Sequence, residues 1–158
     1  MFKFIFPFVF LASFLSVSTS LSAQPVDSAL GLRIGSANGI SYLHFLPHTN
    51  IATEGLLVYR RSGIRAIGFL VQYIPLGGSR TSSFFYLGAG SHVGVNGLLS
   101  SEKPNIPAYG IDGMIGLAYV FPHSPCMVSF DLKPMLELHQ GRVFSGNNAG
   151  FTLRWELN

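Results

Sequence analysis

The amino-acid sequence predicts an all-β fold: an antiparallel up-and-down barrel of about eight strands whose apolar side faces outward. Three observations lead there. Hydrophobic residues make up 48% of the 158 residues and charged ones only 11%, with a mean hydropathy of +0.40, whereas roughly a quarter of a soluble domain is charged. Beyond the N-terminus no run approaches the roughly 18 apolar residues of a spanning helix. Between turn residues the chain breaks into short segments rich in β-branched, aromatic and Gly residues, with alternating character. High hydropathy without a spanning helix, joined to a period of two, leaves a sheet that meets lipid, as in a transmembrane β-barrel, or an unusually greasy core.

The first element is a processing signal. Met1-Phe-Lys3 supplies a minimal positive start, Phe4 to Val17 an apolar stretch broken at Pro7, and Ser18-Thr-Ser-Leu-Ser-Ala23-Gln24 a small, polar run. This layout is a secretory signal peptide over 1–23, cleaved after Ala23 or, since Leu21 is large for its place, one residue earlier. A membrane anchor fits worse, because the apolar stretch is short and polar residues follow at once. No Cys lies near the cleavage point, which excludes a lipoprotein. Residues 24–158 then form one barrel domain, with no internal repeat or linker.

Strands are expected over 29–36, 39–46, 50–60, 63–74, 83–96, 108–121, 126–137 and 148–157. Asn38-Gly39, between apolar runs, is the strongest hairpin signal, because both residues tolerate positive φ. The last strand sets Phe151, Leu153, Trp155 and Leu157 against Thr152, Arg154 and Glu156. The fifth sets Phe85, Leu87, Ala89, Val93 and Val95 against Tyr86, Gly88, Gly90, His92 and Gly94, and the sixth and seventh follow suit. Each strand thus has a large apolar face and a face of small and charged residues. Pro134 interrupts the seventh strand, where it cannot donate a ladder bond; a bulge is expected there, or an effective end at Lys133.

Alternation alone does not say which face is inside; two further features do. The polar face carries few, mixed charges, namely Arg33, Glu54, Asp112, Asp131, Lys133, Arg154 and Glu156. A solvated surface would hold many Lys and Glu, whereas a narrow lumen holds small residues and a few paired charges. These seven are expected to form an interior salt-bridge network, a structural plug rather than an ion path, since an eight-stranded barrel has room only for side chains. With the N-terminus periplasmic, Tyr73, Phe85, Tyr119, Phe121 and Trp155 all fall at the periplasmic rim of the apolar face, as an interfacial girdle requires. The same orientation puts the longest loops, Gly97 to Pro107 and His139 to Asn147, outside the cell.

The signal peptide, the Gly/aromatic strands and the segments Gly39-Ile-Ser-Tyr-Leu-His-Phe-Leu46 and Tyr109-Gly-Ile-Asp-Gly-Met-Ile-Gly-Leu-Ala-Tyr119 resemble the small outer-membrane β-barrel proteins of Gram-negative bacteria, the OmpA/OmpX-like class. The resemblance spans the mature chain as a pattern rather than a sharp motif. It implies location in the outer membrane, contact with membrane lipid, insertion by the barrel-assembly machinery, and a structural, adhesive or secretion-accessory role without catalysis. Members of that class typically end in an aromatic residue that this machinery reads; this chain ends Trp155-Glu-Leu-Asn158.

Little in the sequence points to chemistry, and no cofactor is expected. His44, His48, His92, His123 and His139 are spread over strands and turns without ligand spacing, and only His92 is expected to point inward. Ser91 and His92 are adjacent and so face opposite sides, which rules them out as a nucleophile and its base on one strand face. Cys126 stands alone, excluding an internal disulfide. The net charge of +3 is slight and the basic residues are scattered, which argues against nucleic acid. Two competing classes remain: a soluble periplasmic barrel binding an apolar ligand, and a lipid-modifying outer-membrane enzyme.

Overall fold

The period-two segments pair into a ring. The computed structural model describes residues 27–60, 63–77, 82–97, 105–138, 143–146 and 148–157, and the expected signal peptide over 1–23 lies outside them. Its strands are β1 (Ser28–Gly35), β2 (Asn38–Phe45), β3 (Ile51–Arg60), β4 (Gly63–Pro75), β5 (Ser83–Asn96), β6 (Ile106–Val120), β7 (Cys126–Leu132), β8 (Met135–Glu137), β9 (Val143–Ser145) and β10 (Ala149–Glu156). Neighbours in the chain pair antiparallel from β1 to β6. β6 pairs with both β7 and β8, β8 with β9, β7 with β10, and β10 returns to β1. β7 with β8, and β9 with β10, are two staves that are each interrupted once. The result is a closed antiparallel barrel of eight staves, the fold class read from the sequence.

Pro134 accounts for the first interruption. It sits opposite Gly113, whose N–H donates to the Pro134 carbonyl at 2.8 Å, and the proline can return no bond. A Cβ on Gly113 would come within 3.2 Å of the Pro134 ring, so the glycine leaves room for it. Against β6 the register runs on unchanged, from Ile115↔Leu132 to Asp112↔Met135. Against the last stave it shifts by one residue between Leu132↔Ala149 and Met135↔Ser145. Of the two expectations, the early strand end is the one met: β7 stops at Leu132, one residue before Lys133, and the one-residue offset falls on the facing stave. The short β9 lies within a stretch expected to be loop.

The connections sort into two ends. Residues 36–37, 61–62, 97–105 and 138–142 join strands at what we call the loop end, and 46–50, 76–82 and 121–125 at the turn end. The β1–β2 connection corrects the sequence reading. Asn38 and Gly39 already belong to β2, and positive φ falls on Gly35 (150°) instead. Asn38 acts through its side chain, accepting the Gly35 N–H at 3.1 Å. At the turn end two tight turns share one construction, Pro47-His48 and Pro122-His123, with the histidines left-handed at φ 58° and 65°.

The barrel is uneven in height. The β5–β6 ladder runs from Ser83↔Tyr119 to Asn96↔Ile106, while β1–β2 covers only Ser28↔His44 to Arg33↔Gly39. At 8 residues each, β1 and β2 fall just short of the roughly 9–11 that a tilted spanning strand uses.

Candidate functional site

Side chains fill the lumen in three layers. At the turn end lies an aromatic floor. Tyr73 stacks on Tyr86 with ring centroids 5.0 Å apart, and packs against Phe45 at 4.9 Å and Phe84 at 6.4 Å. Tyr73, expected in the outer girdle, is only 1% exposed and points inward. The reason is parity. Arg65 must face inward, and counting by two along β4 from Arg65 brings Ile67, Phe69, Val71 and Tyr73 to the same side. The expectation of small and charged interior faces holds in β3 and β4 only at Ala52, Glu54, Gly63 and Arg65. Elsewhere in these strands Leu56, Val58, Ile67, Phe69 and Val71 fill the inside, and Gly55, Ala66 and Gly68 lie outside.

The middle layer holds two ion-pair clusters. The Arg154 guanidinium donates to Glu54 Oε1 at 2.5 Å, to Ser41 Oγ at 3.0 Å and to Ser129 Oγ at 2.6 Å. Ser41 Oγ in turn donates to Glu54 Oε1 at 3.0 Å. Beside this cluster, Asp131 takes Arg33 Nη1 at 2.7 Å, Lys133 Nζ at 2.7 Å and the Tyr86 hydroxyl at 3.1 Å. The lysine contact is an ion pair without hydrogen-bond alignment. Arg33 can lie where it does because Gly150 has no side chain: a Cβ there would meet the guanidinium at 2.2 Å. All five charged groups are at most 3% exposed.

Toward the loop end, Arg65 pairs with Glu137 and donates to Met135 Sδ at 3.0 Å and to Asn96 Oδ1 at 3.3 Å. His92 Nδ1 lies 2.8 Å from Asp112 Oδ2, and its buried Nε2 has no hydrogen-bond partner among the described residues. Of the seven charges expected in the lumen, Arg33, Glu54, Asp112, Asp131, Lys133 and Arg154 are thus buried and paired. Glu156 sits half-buried at the turn-end rim, at the end of β10 and outside these contacts. Arg65 was missed, although its parity with Ile67 and Phe69 was readable. Ser91 is exposed on the outer wall, across the sheet from His92, so no hydroxyl of that pair meets the imidazole. Among the described residues no group of three His, Cys, Asp or Glu is placed to hold a metal ion.

No protein-family model matches the sequence, and no curated protein matches it. Among solved structures, the N-terminal β-barrel domain of Pseudomonas aeruginosa OprF matches with a TM-score of 0.60 at 15% identity, over 82% of this chain and 97% of that one. The fold is that of an OmpA-like barrel. At such identity the likeness speaks for the fold alone.

In this OmpA-like barrel the outer wall is the apolar surface. Leu32 is 67% exposed, Phe130 54% and Trp155 57%, while Arg154 and Asp131, next to them in the chain, are fully buried. Phe85, Tyr119, Phe121 and Trp155 stand on that wall near the turn end, and the Tyr119 and Phe121 rings meet edge-on at 5.1 Å. A second set, Tyr59 and Tyr109, is exposed near the loop end. The sequence reading looked for a girdle at one rim and passed over this one. Tyr109 and Tyr119 share a face of β6, separated by about 25 Å of height at ordinary strand rise and tilt. That is the height of an apolar band between two interfacial girdles.

Proposed function

We propose that this chain is an integral outer-membrane β-barrel protein, exported through a cleaved signal peptide, whose role is structural, adhesive or secretion-accessory and not catalytic. One observation carries the reading: polarity is inverted, with paired charges inside and large aliphatic and aromatic side chains outside. A soluble barrel would expose its charges and bury its Leu and Phe. No helix among the described residues is long and apolar enough to cross a membrane, so crossing falls to the strands. The interior speaks against an apolar ligand, since tyrosines and ion pairs occupy the lumen. Against a lipid-modifying enzyme stands the His92–Asp112 pair, whose Nε2 meets no nucleophile among the described residues. The long loops expected outside the cell, Gly97 to Pro107 and His139 to Asn147, would be the parts offered for contact.

Gel mobility before and after boiling, combined with cell fractionation, tests the reading. A heat-dependent shift of protein from the outer-membrane fraction is the expected result. Protein found in the soluble periplasmic fraction, with no shift, would overturn it.

A further inference from the structure

We propose that the loop-end mouth of the lumen binds one chloride-sized anion. Arg33, Arg60, Arg65 and Lys133 line a cavity there together with Asn148 and Met135, and no carboxylate among the described residues lines it. Two carboxylates touch these cations from its margins. Asp131 is shared between Arg33 and Lys133, and Glu137 is taken by Arg65. Among the described residues, four cations against two acids leave a surplus of two positive charges around one space.

Burial makes that surplus matter. Arg33, Arg65 and Lys133 are 2%, 6% and 3% exposed, while Arg60 is half-buried at the rim. A cation removed from water without a counter-charge is unfavourable, and an anion from the medium can supply that charge. Lys133 has donors to offer: its Nζ lies over the Phe69 ring at 5.7 Å and against one oxygen of Asp131, and has no aligned hydrogen-bond partner among the described residues. Size selects the ligand. The cavity narrows to a free core of ≈ 10 Å³, about the room one water needs, which favours a monatomic anion over a larger oxyanion. The inference goes beyond the membrane reading and does not depend on it, since it concerns the lumen whatever meets the outer wall.

Chloride-35 NMR line broadening, with the folded barrel in non-ionic detergent micelles, tests the site. The expected result is broadening that saturates with chloride, is displaced by bromide, survives inorganic phosphate, and vanishes when the protein is heat-unfolded. Arg60→Gln and Lys133→Met should each weaken chloride binding roughly tenfold or more, because each removes half of the surplus charge. Unboiled gel mobility reports whether each variant is folded, and Arg60→Gln, at the rim, decides if Lys133→Met is not. Absence of saturable broadening with the folded protein, equal displacement by phosphate, or wild-type affinity in folded Arg60→Gln would each overturn the proposal.

Discussion

Replacing Arg154 by Met should be among the most destabilising single substitutions in the barrel. Arg154 is fully buried and makes one ion pair, to Glu54 at 2.5 Å, and two hydroxyl hydrogen bonds, to Ser41 and Ser129. Met fills much of the same volume, so the lost interactions dominate over any cavity. Breaking a buried pair from one side leaves the other charge uncompensated, at a cost of about 3–5 kcal/mol. Glu54 would keep Ser41 as a donor, which offsets only about 1–2 kcal/mol of that cost. The partner substitution Glu54→Leu should cost a similar amount for the same reason. The double variant removes both charges and should be more stable than the sum of the singles by about 2–4 kcal/mol. Trp155, the only tryptophan of the chain, is the reporter: it neighbours Arg154 and is 57% exposed on the outer wall. Its fluorescence during urea unfolding from lipid vesicles gives all four stabilities of the cycle. A single Arg154→Met cost below about 1 kcal/mol, or strict additivity in the double variant, would refute the claim that this pair is structural.

Four further outcomes rest on the same geometry. Tyr73→Ala, which opens the aromatic floor, should cost about 3–5 kcal/mol by urea midpoint, while Tyr119→Ala on the outer wall should cost far less in micelles. Ile115→Arg places a charge on the outer wall between the two aromatic girdles; it should cost about 2–4 kcal/mol in lipid vesicles, and a cost near zero there would mean that this wall does not face hydrocarbon. Gly150→Val should evict the Arg33 guanidinium, which a Cβ would meet at 2.2 Å, and destabilise by about 3 kcal/mol or more. Gly68→Ala, with nothing within 4 Å of its Cβ, should stay within about 0.5 kcal/mol by the same measurement.

What the sequence disclosed, and what it hid, divides along a physical line. Strand period is a local property, so Phe151, Leu153 and Trp155 against Thr152 and Arg154 announce β10 and its two faces without help from the rest of the chain. Parity in β4 is local too, but the cue is a single residue, Arg65, in a strand otherwise apolar on its inward side; hence Tyr73 was misplaced. Pairing inside the lumen is not local. Arg154 on β10 meets Glu54 on β3, and Arg65 on β4 meets Glu137 on β8, contacts between staves that share no ladder. No spacing within a strand encodes such a match, because it depends on how the sheet closes. The aromatic floor was hidden for a related reason. Lumen volume that charges do not fill must be filled by something, and near the turn end Phe45, Tyr73, Phe84 and Tyr86 do so.

These cross-lumen pairs also answer a problem that the outer wall creates. An outer face of Leu, Ile, Val and Phe carries almost no register information if its surroundings are hydrocarbon, since one aliphatic residue there serves as well as the next. A slip by one residue would, however, swing every inward side chain of that strand outward. For β10 it would carry Arg154 from a bond with Glu54 to the outer wall, and for β7 it would do the same to Asp131. Each slip strands a charge on both sides of the broken pair, so the penalties of neighbouring staves add. Arg33–Asp131, Arg154–Glu54 and Arg65–Glu137 each tie staves that are not hydrogen-bonded to one another, so they constrain the closure of the ring and not merely one ladder. Tolerance of substitution should therefore differ sharply across one sheet. The outer wall should accept any apolar residue of fair size, whereas the lumen charges should be replaceable only as pairs, as the Arg154–Glu54 cycle tests directly.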